Sequence, residues 1–205
     1  MIKFFPQPFS DERAKSESRS AISKDNLSPS AYFGIIRVIM ALNRRKYQNA
    51  VLYLCHKLGG EVRGKKKLAK LLYFADFDLY EKTQKSITGD VYRALPMGPV
   101  PSALEEITAE MAKKKTLGVE RVDEHKGYNA TEVYKCLTEP DLSVFNDEEK
   151  KMLDRVILKY GHLTGKQLED LSHAEAPYAA AKLYEEVPYE FTYYRGTDFS
   201  DLRWL

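Results

Sequence analysis

The chain has 205 residues, which is enough for one domain with a hydrophobic core. Hydrophobic residues make up 43% of it and charged residues 30%, and this composition excludes collagenous and largely disordered proteins. Counted over three consecutive segments, the net charge is +6 for residues 1–60, +2 for residues 61–120 and −6 for residues 121–205. A charge of +6 spread over sixty residues is weak evidence for a nucleic-acid partner.

The cysteine content and the lengths of the apolar segments predict a cytoplasmic protein. Cys55 and Cys136 stand 81 positions apart and form no CxxC pair, which favours a reducing compartment. Prolines interrupt the N-terminal sequence MIKFFPQPFSDER, so it lacks the apolar run of a secretory signal. The most apolar stretch, 31–42, is shorter than the roughly 20 residues that cross a bilayer, and we expect a core helix there.

The first thirty residues show no sustained periodicity and are predicted to form a flexible N-terminal arm. Three phenylalanines within it, Phe4, Phe5 and Phe9, are candidates for ordering against a partner. Residues 31–205 are predicted to form a single domain.

Two more helices are predicted in the first half of that domain, after the one expected at 31–42. Val51, Leu54, Cys55 and Leu58 are spaced i, i+3, i+4 and i+7, as on one face of a helix. The segment from Lys65 to Lys82 is apolar on almost every face, which is typical of a helix buried at the centre of a domain.

The middle of the chain predicts strands, a rigid turn and one more helix. A short strand after Ile87 is followed by the proline-rich turn 96–101, and Ser102-x-x-Glu105 matches a capping box at a helix start. The segments 117–125 and 128–137 are predicted to pair as a hairpin.

The last third predicts short, well-capped helices. Asn146-x-x-Glu149 and Thr164-x-x-Gln167 are capping boxes, and Pro177 can open a third helix that runs to Leu183. The predicted fold class is therefore α+β and mainly α-helical, with a buried central helix, a small β-hairpin or ribbon and a C-terminal group of short helices.

Motifs for catalysis and for cofactor or metal binding are weak. The segment 59–66 approaches a phosphate-binding loop but places Lys66 where a magnesium-binding hydroxyl is needed, and the four histidines lack metal-ligand spacing. Cys136, with His125 on the opposing strand, could be a nucleophile and its base, or simply an inert thiol. We predict no catalytic residue, no metal and no cofactor.

A run of cations lies at the start of the central helix. Its members are Arg63, Lys65, Lys66, Lys67 and Lys70. They could contact the phosphates of DNA together with the C-terminal helices, which would make the protein a transcriptional regulator, or they could form a solvated helix end. Cations oppose the dipole at a helix N-terminus, which suggests an acidic partner or internal acids such as Asp76 and Glu81.

The C-terminal tail is rich in aromatic residues and has two interpretations. It could close the core, or it could present Tyr189, Phe191, Tyr193 and Trp204 to a protein partner. We favour core closure, because aromatic side chains dominate core energetics.

Several motifs taken together resemble one known family. The sequence KLAKLLYFAD at 67–76, ITGD at 87–90, YRA at 92–94 and GPV at 98–100 are followed by LSHAEAPY at 171–178. Over residues 46–183 the chain resembles the Panacea domain, also called the SocA-like antitoxin domain. This resemblance implies a non-enzymatic bacterial or phage antitoxin that binds and neutralises a toxin encoded beside it. Members of the family face many unrelated toxins, so the motifs do not identify the toxin.

The residues that carry the resemblance fall into two groups. The structural group is Leu68, Leu71, Gly89, Gly98, Pro99 and Tyr178, the last at a position where tryptophan is frequent in the family. The polar group is Lys67, Asp76, Thr88, Tyr92, His173 and Glu175. We expect some of the polar group to form a network between the central helix and the closing helices.

Overall fold

The computed structural model describes residues 41–123 and 130–205. Among these described residues, the first helix, α1, runs over Arg44–Lys57. Asn43 caps this helix by accepting a hydrogen bond from the Lys46 amide. The predicted apolar stripe faces the core, and the helix ends before Gly59, whose φ of 92° lets the chain reverse.

The central helix α2, Lys65–Thr83, confirms the predicted buried centre of the fold. Every residue from Leu68 to Tyr80 is buried, as expected for a helix that is apolar on nearly all faces. Three of these buried residues are charged: Lys70, Asp76 and Asp78. Each of them therefore needs a specific polar partner, since an unpaired buried charge is costly.

The predicted hairpin is confirmed and belongs to a three-stranded sheet. Strand β4, Leu117–Val122, pairs antiparallel with β5, Thr131–Cys136. The other edge of β5 pairs with a strand that the sequence analysis missed, β1, Glu61–Arg63, which gives the order β1-β5-β4. Strand β1 has only three residues between glycines, too few to show an alternation.

A second hairpin replaces the predicted strand and rigid turn. Strand β2, Tyr92–Leu95, pairs with β3, Gly98–Pro101, so only residues 96 and 97 form the turn. The register places the nitrogens of Pro99 and Pro101 away from β2. Because proline has no N–H group, this placement means that no hydrogen bond between β2 and β3 is lost. At Gly98, where φ is 93°, a Cβ would lie 2.7 Å from the Lys70 Nζ atom and 2.8 Å from the Ser172 Oγ atom.

The capping box predicted at Ser102 is wrong. Helix α3 is Leu104–Lys113, and no side chain of its own first turn caps it. Instead, the buried carboxylate of Asp90 accepts the Ala103 amide at 3.0 Å. Glu105 pairs with Lys65 of the central helix. The cap is thus supplied by a loop 13 positions away, which no local motif can reveal.

The other two capping boxes are confirmed. Helix α4, Asp147–Tyr160, begins after Asn146, and helix α5, Gly165–His173, begins after Thr164. Both boxes have the reciprocal hydrogen bonds between the cap residue and the third helical residue. Helix α6, Ala176–Ala180, opens with Pro177 as predicted and ends three residues before Leu183. The mainly helical α+β class is confirmed.

After α6 the chain returns to the β2–β3 hairpin. The Tyr184 amide donates to the Ala94 carbonyl at 2.6 Å. The Ala94 amide donates to the Glu185 carbonyl, and the Val187 amide donates to the Tyr92 carbonyl. This stretch therefore covers the free edge of β2. Two 3-10 helices follow, Tyr189–Tyr194 and Ser200–Trp204. Residues 184–205 are called the C-terminal segment below.

Candidate functional site

Three residues of the predicted polar group meet at the buried carboxylate of Asp76. It accepts hydrogen bonds from the Ile87 and Thr88 amides at 2.9 Å, from the Thr88 hydroxyl, and from the Tyr92 hydroxyl at 2.8 Å. Burial raises the pKa of Asp76 to about 6, although these hydrogen bonds oppose the rise. These hydrogen bonds hold the loop before β2 against the central helix. Gly89, in the same loop, turns the chain with a φ of 71°.

The other three polar residues lie elsewhere. Lys67 donates to the Gly161 carbonyl at the end of α4, at 2.7 Å. The His173 ring stacks on Tyr178 with the ring centres 4.5 Å apart. The third, Glu175, accepts a hydrogen bond from the buried Tyr73 hydroxyl of α2 at 2.8 Å. Two of these contacts join the central helix to the closing part of the fold, but they do not join the Asp76 cluster.

Four of the six members of the structural group are buried, and Gly89 and Tyr178 are half-buried. Leu68 and Leu71 are fully buried in the core. Pro99 presents its carbonyl to the Lys70 ammonium at 2.7 Å. The Tyr178 hydroxyl donates to the Leu95 carbonyl of the β2–β3 hairpin at 2.8 Å, so this aromatic residue ties α6 to that hairpin.

A cluster of buried charges joins the central helix to the C-terminal segment. The Arg195 guanidinium bonds Asp78 and Glu81 through Nη2, both at 2.7 Å, and Glu175 through Nη1 at 2.8 Å. Arg155 of α4 bonds the second oxygen of Asp78 at 2.6 Å. Burial raises the pKa of the Asp78 carboxyl, and the two guanidinium groups counteract that rise. Sequence reasoning missed both arginines, and the only signal was that Asp78, in an apolar helix, requires a partner.

The same cluster holds the residues that follow Arg195. The Thr197 amide donates to Glu81 at 3.0 Å and its hydroxyl donates to Glu81 at 2.8 Å. The Arg155 Nε atom donates to both oxygens of Asp201, at 2.8 and 2.9 Å, and the Arg155 side chain lies over the ring of Phe199. The C-terminal segment is therefore tied to two helices by charged hydrogen bonds, the stronger kind.

The aromatic tail combines both interpretations. Tyr189 stacks on Phe77 with ring centres 4.2 Å apart and donates its hydroxyl to the Asp90 carbonyl, so it belongs to the core. The prediction that Tyr189 contacts a partner is therefore wrong. Phe191 is half-buried beside Tyr194. Phe4, Phe5 and Phe9 lie outside the described residues, and their partner contact stays a prediction.

Four aromatic side chains of the C-terminal segment are exposed. Tyr184 is 62% exposed, Tyr193 48%, Tyr194 77% and Trp204 88%. The tyrosine at position 184 also has a φ of 69°, an unusual backbone conformation for a bulky residue, while its amide is bonded to Ala94. Exposed tyrosine and tryptophan on an anchored backbone are typical of protein-binding surfaces.

The cations at the start of α2 bind internal partners. Lys65 pairs with Glu105 and Lys66 with Glu169, while Lys67 and Lys70 donate to backbone carbonyls. Internal acids do bind two of these lysines, but they are Glu105 and Glu169. The two acids suggested as examples have other partners: Asp76 binds Thr88 and Tyr92, and Glu81 binds Arg195. These lysines are not arranged as a free row of phosphate contacts.

Lys70 is a special case because it is fully buried. Its ammonium donates to the Pro99 carbonyl at 2.7 Å. Burial lowers the pKa of Lys70 to about 7, the nearby carboxylate of Glu169 acts in the opposite direction, and Lys66 lowers the pKa further. Because protein encloses this amine, it cannot contact DNA. Its lowered pKa makes the stability of the fold depend on pH instead.

The described residues do not support nucleophilic chemistry at Cys136. Its thiol donates to the Thr138 carbonyl at 2.9 Å, and burial raises its pKa, the opposite of what an active thiolate requires. His125 lies outside the described residues. Within residues 41–123 and 130–205, no group of three or more potential ligands could hold a metal ion. None of the helices in those ranges is long and apolar enough to cross a membrane.

The family comparison agrees with the motifs. The family model described as antitoxin SocA-like, Panacea domain, matches residues 68–178, more than half of the chain. The match begins at Leu68 in the central helix and ends at Tyr178 in α6, inside the range expected from the motifs. No curated protein and no solved structure matched the chain. The chain therefore belongs to the Panacea-domain family of SocA-like antitoxins.

Proposed function

We propose that this protein is a non-enzymatic antitoxin of a bacterial or phage toxin–antitoxin system, and that it neutralises a toxin encoded beside it by direct binding. The family assignment supports an antitoxin-like role. Within that role, the observation that carries the proposal is the set of exposed aromatic side chains on an anchored C-terminal segment. Such residues supply large contact areas at a small cost in side-chain entropy.

The proposed toxin-binding surface comprises Tyr193, Tyr194 and Trp204, with Tyr184 at the start of the segment. All four lie beyond residue 178, where the family match ends. A surface outside the shared domain can differ between members while the domain stays the same. This arrangement accounts for the expectation that one domain serves antitoxins against many toxins.

The proposal places the complex in the cytoplasm. Both cysteines are free thiols, as expected in a reducing compartment. The alternative of a DNA-binding regulator is not supported by the lysines at the start of α2, because carboxylates and carbonyls already bind them. A DNA interface would have to break those contacts before it could neutralise phosphates.

Co-expression with the adjacent gene tests the proposal. Induction of that gene alone should stop growth, and co-expression of this protein should restore it. Tyr194→Ala should reduce the rescue, whereas Leu137→Ala, which removes another exposed apolar side chain, directly after β5, should not. A harmless neighbouring gene, or toxicity that this protein does not relieve, would exclude the antitoxin role.

A further inference from the structure

The outer part of the C-terminal segment has few apolar anchors of its own. Beyond Tyr189, the only buried residue described is Thr192, and every aromatic side chain there is at least partly exposed. Phe199 and Leu202 pack only partly against the core. What holds this part in place is mostly polar: Arg195 in its carboxylate pocket, Thr197 on Glu81, and Asp201 on Arg155.

We propose that Arg195 is the positioning residue of the toxin-binding surface, acting as a latch that keeps residues 190–205 docked on α2 and α4. This inference rests on the proposed function and names how its surface is held in shape. The Arg195 side chain is only 4% exposed, so in the docked state it has almost no surface with which to touch a partner. Its effect on toxin binding is therefore indirect.

The geometry explains why one residue can hold the segment. The planar guanidinium reaches carboxylates from two elements, Asp78 and Glu81 of α2 and Glu175 at the start of α6. If it leaves, three acids remain close together with Arg155 as the nearest described counter-charge. Burial raises the pKa values of the Asp78 and Glu175 carboxyls because it disfavours their charged forms. The positive charge of Arg195 opposes this effect, so the pocket strongly favours an arginine.

A segment that is docked in advance would bind the toxin without an ordering cost at the moment of encounter. Apparent affinity falls in proportion to the fraction of molecules in the binding-competent state. A segment that is docked before the toxin arrives has already been ordered, and this preorganisation preserves the full affinity. Releasing the latch lowers affinity only to the extent that the segment undocks.

The experiment combines hydrogen exchange with binding, using the full chain and the purified product of the adjacent gene. Exchange at the Thr197 amide, which is bonded to Glu81, reports the docked fraction of the segment, and amides of α4 report global unfolding. Arg195→Gln should undock the segment in about nine-tenths of the molecules and raise the Kd about tenfold. Arg195→Lys, which keeps the charge and loses the planar fork, should lie between it and the wild type.

Two variants separate positioning from contact. Tyr194→Ala should raise the Kd with no change in Thr197 exchange, because this side chain lies on the outer surface. Arg195→Gln should change both, and the Kd should rise by the reciprocal of the docked fraction that the exchange reports. If Arg195→Gln does not fold, the Kd of Arg195→Lys must still rise by the reciprocal of its docked fraction measured by exchange.

Each outcome is decisive. A Thr197 amide that stays protected in Arg195→Gln overturns the latch, and so does an undocked segment with an unchanged Kd. Both results leave the antitoxin role intact, provided that the wild-type protein binds. Failure of the wild-type protein to bind the toxin removes the proposed function itself.

Discussion

Asp78 and Arg195 stand 117 positions apart in the chain and meet at 2.7 Å in the interior. One residue belongs to the central helix, within the family match, and the other to the C-terminal segment beyond it. The pair therefore connects the shared domain to the part of this chain that carries the exposed aromatic residues.

The core prediction concerns Leu71, which is fully buried in the central helix. Leu71→Ala should lower the free energy of unfolding by about 2–5 kcal/mol, because it removes buried methyl groups and leaves a cavity. Urea unfolding measures the change. Leu158→Ala, on the exposed face of α4, is the matched control and should stay within about 0.5 kcal/mol of the wild type. A neutral result at Leu71 would show that α2 is not the centre of the core.

The second prediction uses the buried amine of Lys70, whose folded-state pKa is about 7. In the unfolded chain a lysine titrates near pH 10.4, so between these values the unfolded state binds the extra proton. Stability should therefore rise with pH from about 7 to 9, with a slope of up to about 1.4 kcal/mol per pH unit from this group.

Lys70→Met removes the titrating group and is the control for that slope. The stability advantage of the variant over the wild type should be largest near pH 7 and should shrink as the pH rises to 9. Urea unfolding at three pH values measures it. Parallel pH profiles for the two proteins would show that the amine keeps an ordinary pKa in the fold.

The third prediction concerns the cap of α3. Asp90→Ala should cost about 1–3 kcal/mol, because the amides of Ala103 and Val91 lose their acceptor. Ser102→Ala should leave stability within about 0.5 kcal/mol, since no Ser102 side-chain bond caps this helix. Thermal unfolding distinguishes the two variants. A larger loss of stability for Ser102→Ala than for Asp90→Ala would show that Ser102 caps the helix after all.

Local patterns predicted the features that depend on neighbours in the sequence. The central helix, the β4–β5 hairpin and the capping boxes at Asn146 and Thr164 all have this character. The family resemblance, rather than a local pattern, located the polar residue Asp76, whose partners follow it within 16 positions. Periodicity and capping motifs record short-range geometry, and they were sufficient for these elements.

Features that depend on distant contacts were not predictable in the same way. Strand β1 exists because β5 lies beside it, and α3 is capped from a separate loop. The arginine partners of Asp78 come from α4 and from the C-terminal segment. A buried aspartate in an apolar helix signals that it needs polar partners. It does not show whether they are arginines, as at Asp78, or neutral amides and hydroxyls, as at Asp76.

The most direct test of the account is a calorimetric titration of the purified adjacent-gene product with the wild-type protein and with Tyr194→Ala. The account predicts saturable binding by the wild type, with a Kd of about 1 µM or tighter, and a Kd at least about tenfold weaker for Tyr194→Ala. Equal affinities would contradict the aromatic surface as the site of recognition. No binding by the wild type would contradict the central claim that the protein works by direct contact with its toxin.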